Sequence, residues 1–186
     1  MINDYENTKP ITSDATFDST TASNSEVIST LNGLIETCKD GQNGFQVAAE
    51  GVERSDLKSL FYEFSQQRAQ FSGELQSLVQ SLGGDPANSG SMSAALHRGW
   101  INIKSAVTGK DEAAILNECE RGEDSAKGAY KSALEEALPG NVMETIQTQY
   151  VAVQSAHDRV KALRDAMSGN TEDTTNDRSN TASTSY

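Results

Sequence analysis

The chain has 186 residues, more than one average domain and fewer than two, which points to one domain with appendages. Apolar residues make up only 35%, below the ~45–50% of an ordinary globular chain, so either the core is thin or part of the chain is not folded. Lys and Arg number 15 against 27 Asp and Glu, a formal charge of −12 with a pI near 4.5, which disfavours nucleic acid and anionic lipid as partners because both need clustered positive charge.

No run approaches the ~18 apolar residues of a membrane span, and the opening MINDYENTKPITSD has neither the basic start nor the apolar stretch of a secretory signal. Cys38 and Cys119 are too few for a disulfide framework and lack CxxC spacing, so the expected location is cytoplasmic. The missing hydrophobicity lies at the ends. Residues 1–24 and 168–186 are dominated by Thr, Ser, Asn and Asp and cannot offset the ~1–2 kcal/mol per residue of backbone ordering, so both are expected to be disordered tails around a folded unit at 25–167.

Within that unit the apolar residues recur at helical spacing. The first helix is expected over 26–52, capped by Ser25, with the stripe Val27, Leu31, Leu34, Cys38, Gly41, Phe45, Ala48 and Val52. Ser55 and Asp56 can cap a second at 56–82, striped by Leu57, Phe61, Phe64, Arg68, Phe71, Leu75, Leu78 and Leu82 and ended by Gly83, Gly84 and Pro86. A third, 111–138, carries Leu116, Cys119, Glu123, Ala126, Tyr130, Ala133 and Ala137 up to Pro139 and Gly140. The fourth, 141–167, carries Met143, Ile146, Tyr150, Val153, His157, Val160 and Met167. Tight turns make two antiparallel hairpins. The connector 83–110 between them has Met92, Leu96, Trp100, Ile103 and Val107 at helical spacing, a short helix able to run along the bundle. An all-α four-helix bundle built from two hairpins and one long crossover is the ferritin-like topology.

Polar residues interrupt every stripe: Cys38, Arg68, Glu123 and His157, each ~15–17 residues from its hairpin turn and therefore near mid-bundle at 1.5 Å per residue. Ferritin-like proteins place their metal centre at that height. The segments LIETCKDGQNGF (34–45), EFSQQRAQFSGEL (63–75), ALHRGW (95–100), ECERGEDSAKGAY (118–130) and QSAHDRVKALRD (154–165) resemble an uncharacterised bacterial four-helix-bundle family of the ferritin-like superfamily. That resemblance implies the fold and no established activity.

Di-iron members of the superfamily use a Glu from two helices and Glu-x-x-His from the other two. Laid on this chain, those positions fall on Cys38, on Arg68 and Phe71, on Glu123, and on Gln154 and His157. Two of six ligands survive, and Arg68 brings a fixed positive charge that repels a cation and can neutralise Glu123. The expectation is a degenerate metal centre: a buried polar layer of Cys38, Arg68, Glu123, Gln154 and His157, with no cofactor and no catalytic residue. The competing expectation is one iron, manganese or zinc ion held by Glu120, Glu123 and His157, with Cys38 as a further candidate and Arg68 turned aside. Cys38 and Cys119 are read as small buried apolar residues, Tyr130 and Tyr150 as core residues with bonded hydroxyls, and His97 as a packing or capping residue. Gly41 and Gly44 inside the first helix call for a close neighbour, with Trp100 the expected one. No phosphate loop, GxSxG elbow or HExxH motif occurs. The function expected is structural or interaction-based, a stress-related accessory protein by family resemblance, with a homodimer as the expected assembly.

Overall fold

The computed structural model describes residues 22–87, 103–109 and 111–176. Among them every regular element is helical: α1 Asn24–Gly51, α2 Ser55–Ser81, a short α3 over 103–108, α4 Glu112–Leu134 and α5 Gly140–Asn176. Met92, Leu96, His97 and Trp100 lie outside the described residues.

Local chemistry sets the ends. α1 is capped by Ser23 rather than Ser25: the Ser23 hydroxyl accepts from the Glu26 amide while the Glu26 carboxylate accepts from the Ser23 amide, a reciprocal box that Ser25 could not form with its neighbours. α2 starts after Arg54 with no side-chain cap of its own. Instead Glu112, at the start of α4, accepts from the Glu53 and Arg54 amides at 2.9 and 3.1 Å. At the far end of α2, Gly83 adopts φ 78°, and the Gly84 and Gly83 amides bond back to Val79 and Gln80; this paired pattern needs a left-handed residue, which glycine supplies without strain. α4 stops at Leu134, short of the expected 138; Pro139 keeps Leu138 out of the helical region, and Leu138 turns into the core. α5 runs past 167 to Asn176, beyond the boundary expected for the tail. No proline halts it, and each added residue of an existing helix costs little.

Three contacts fix the topology. Ala22 and Thr30 at the start of α1 bond to Ala137 and Glu136 after α4. Asn32 and Lys39 hold Asp85 and Ala87 after α2. Glu112 meets the α1–α2 turn at the opposite end. The ends of α2 and α4 therefore share one end of the bundle, so the connector crosses its full length and the two helices run parallel, as the ferritin-like topology requires.

Among the described residues the core is split in two. One apolar cluster joins Leu31, Ile35, Leu75, Tyr130, Val142 and Ile146; the other joins Phe45, Phe61, Ile115, Leu116, Cys119 and Val160. Each buried aliphatic or aromatic side chain contributes ~1.5–3 kcal/mol. The polar layer falls between the two clusters.

The helix-internal glycines admit close neighbours; Trp100, the expected one, lies outside the described residues. A Cβ on Gly44 would sit 3.2 Å from Ile103 of α3, and one on Gly51 would overlap Val107; Gly41 makes room for Arg68. Gly44→Leu gains ~1 kcal/mol of helix propensity and loses ~1–3 kcal/mol to overpacking against Ile103. Thermal melts followed by circular dichroism should show a Tm no higher than the parent's and lower by up to about 8 °C; a raised Tm, the propensity gain alone, would refute the close approach.

Candidate functional site

Arg68 on α2 points into the centre of the bundle and is 1% exposed; Glu123 on α4 is 2% exposed, and its Oε2 accepts from Arg68 Nη2 at 2.6 Å. The guanidinium reaches this position because Gly41 lacks a Cβ, which would otherwise lie 3.2 Å from Arg68 Cγ. Phe45 and Phe71 present their rings at 6.0 and 5.6 Å from the guanidinium carbon, within cation–π range. Nη1 donates to Gln67 Oε1 at 2.7 Å, while Nε has no partner. Burial pushes the Glu123 carboxyl above the usual carboxylate range, and the charge and hydrogen bond of Arg68 pull it back.

A second buried chain lies beside this pair. Cys38 Sγ is 3.1 Å from the Tyr130 hydroxyl, which donates to Gln149 Oε1 at 2.7 Å; Gln149 Nε2 donates to Glu74 Oε2 at 2.8 Å. Burial pushes the Cys38 thiol up to about 11 and raises Cys119 and Tyr130 strongly, so neither cysteine is a ready thiolate. Gln149, 1% exposed, was not anticipated. The fourth stripe turns there, passing through Val142, Ile146, Gln149 and Val153 rather than the half-buried Tyr150. A polar residue three after Ile146 and four before Val153 was the available signal.

His157 does not join Arg68 and Glu123 through a hydrogen bond. Its Nε2 lies 3.0 Å from Asp124 Oδ1, its Nδ1 3.0 Å from Asp158 Oδ1, and Lys127 Nζ approaches both nitrogens at 3.5 and 3.3 Å. Gln154 donates instead to the Tyr150 hydroxyl at 3.1 Å. The five polar stripe residues thus form four separate arrangements, because neighbouring positions on α4 and α5 face different partners. The ligand set Glu120, Glu123 and His157 is likewise divided: Glu123 turns inward to Arg68, and Asp124 stands beside Glu120 and His157 in its place.

A di-iron centre does not fit these residues. The cation of Arg68 lies at the level where the metals would, and Cys38, Phe71 and Gln154 are turned to other partners or have no donor to offer. Between α1 and α4 a cavity of about 120 Å³ is lined by Asp40, Gly41, Gly44, Cys119 and Glu123. Asp40 Oδ2 is buried there without a partner, and burial, helped by Glu36, raises this carboxyl to about 6.

Two outcomes follow for stability. Arg68→Met strands a buried carboxylate and should cost ~3–5 kcal/mol, whereas Arg68→Met combined with Glu123→Leu should return close to the parent protein. The single variant should lose less at acid pH than at neutral pH, since Glu123 can then protonate; urea melts of both variants across pH check this. For Asp40 the folded state holds its proton more tightly, so its stabilising contribution is complete below 3.8 and lost as pH rises through about 6. Asp40→Asn should therefore raise Tm near neutral pH and leave it unchanged in acid.

The family model for the Domain of unknown function (DUF2383) matches residues 26–136. Among solved structures, a two-domain protein from Anabaena variabilis containing DJ-1/ThiJ/PfpI-like and ferritin-like domains aligns with a TM-score of 0.64 at 16% identity. The alignment covers 79% of this chain and 41% of that one, so this chain spans less than half of that protein's length. No curated protein matches. Likeness at this identity concerns the fold, and with more than half of its residues matched by the family model the chain belongs to the DUF2383 family, with a ferritin-like bundle as its architecture.

Proposed function

We propose that this protein is a ferritin-like bundle in which a buried ion pair stands in place of the metal centre, and that it acts as a structural or interaction module, a stress-related accessory protein rather than an oxidase or ferroxidase. The observation that carries this reading is the Arg68–Glu123 pair, both partners almost fully buried and 2.6 Å apart. A buried pair of this kind adds little net stability but penalises any packing that separates its members, so it favours one helix register. A fixed register presents a constant outer surface, which is what an interaction module needs.

The chain's −12 charge favours cationic or neutral partner surfaces over nucleic acid. Among the described residues no helix is long and apolar enough to cross a membrane. Assembly as a homodimer belongs to the same reading, and the exposed Tyr62 and Val151 are the first side chains to substitute in testing it.

The deciding experiment is metal analysis and iron(II) oxidation with protein purified without chelator. No iron whose binding depends on Glu123, and oxidation no faster than in buffer, are the expected results. Iron bound stoichiometrically in the parent and lost in Glu123→Gln would overturn the proposal.

A further inference from the structure

Away from the central pair, α4 and α5 bring together a different set of side chains. Glu120 and Asp124, one turn apart on α4, face His157 on α5, and one donor atom from each lies within 4.8 Å of the others. Tetrahedral zinc with ~2.0–2.1 Å bonds needs donors ~3.4 Å apart, and Asp124 Oδ1 is already 3.0 Å from His157 Nε2. From this geometry we infer that Glu120, Asp124 and His157 form a site for a single divalent first-row transition ion, separate from the Arg68–Glu123 pair and clamping α4 to α5.

An independent feature supports the assignment. His157 Nδ1 lies 3.0 Å from Asp158 Oδ1, a carboxylate outside the ligand set. A metal-bound histidine commonly gives its second nitrogen to such a carboxylate, which fixes the ring and aims the free nitrogen at the ion. The His157 and Glu120 side chains are 8% and 11% exposed, while Asp124 is 62% exposed. The site therefore has a sheltered floor and one open side, through which an ion enters and water completes its coordination.

The nearby cations need to be weighed. Lys127 Nζ stands 3.3 Å from His157 Nδ1 and 3.5 Å from Nε2, and Arg164 Nη1 lies 2.5 Å from Glu120 Oε2. Against these two are the carboxylates of Glu120, Asp124, Asp158 and Asp165, the last paired with Arg164 Nη2 at 2.6 Å. The balance stays negative, and Lys127 is a long side chain able to swing into water. With one imidazole and two carboxylates, the donors suit zinc, manganese or iron(II) and lack the thiolates that would select copper(I).

Zinc serves as the probe, with the full chain titrated against a chromophoric chelator and melted with and without the ion. One equivalent should bind and raise Tm. Asp124→Ala, at an exposed position, should fold and abolish both effects, and Asp158→Asn should weaken binding ~10-fold or more. Lys127→Ala should tighten binding several-fold, a gain that a site made only of salt bridges would not give. Absence of saturable binding in the parent, or binding unchanged in Asp124→Ala, would overturn the inference. Loss of zinc in Glu123→Gln but not in Asp124→Ala would overturn this site and the metal-free reading of the core together.

Discussion

An arginine inside a helical bundle is costly, and the molecule is arranged around offsetting that cost. Removing a guanidinium and a carboxylate from water carries a desolvation penalty of several kcal/mol for each ion, repaid only when the two meet with good geometry. Arg68 and Glu123 meet at 2.6 Å, and their neighbours serve the contact. Gly41 clears the path of the arginine stem, Phe45 and Phe71 offer their rings to the cation, and Gln67 takes one of the remaining N–H groups. The apolar core divides into two clusters at this height. Sliding one helix by a turn would part the charges and leave both buried alone, so the pair discriminates among registers even where it adds little to stability.

This arrangement also decides which chemistry the interior can support. The centre of the bundle holds a positive charge, which repels a metal cation. The neighbouring thiol of Cys38 is tied to Tyr130 and held well above neutral by burial, which makes it a poor nucleophile and a poor metal ligand. Tyr130, Gln149 and Glu74 carry that hydrogen-bond chain out toward the surface, satisfying polar groups that would otherwise weaken the core. The interior is thus built for order. The clustering of Glu120, Asp124 and His157 lies at its edge, with Glu120 and His157 buried and Asp124 open to solvent.

Much of the fold was legible in the residues alone. Apolar spacing marks four helices, Gly83 and Pro139 mark the turns, and a connector of this length is long enough for the chain to cross the bundle, which a plain up-and-down bundle would not need. The central pair was legible too, as an arginine and a glutamate interrupting two apolar stripes at matching heights. Caps were read less well: Ser25 was the expected cap of α1, whereas the reciprocal bonds with Glu26 belong to Ser23. The cap of α2 could not be read locally, because its acceptor, Glu112, comes from the far side of the connector.

Spacing along a helix gives a residue's height and approximate face, and those determined that Arg68, Glu123 and His157 lie at one level. Spacing does not give the rotation of one helix against the next. That rotation, set only when all four helices pack, sends Glu123 inward to Arg68 while its neighbour Asp124 turns to His157, and it buries Gln149 in place of Tyr150. A turn of 100° per residue is enough to exchange adjacent side chains between core and surface. Composition and periodicity therefore determined the bundle and its central charge, and tertiary packing decided which carboxylate each cation would meet.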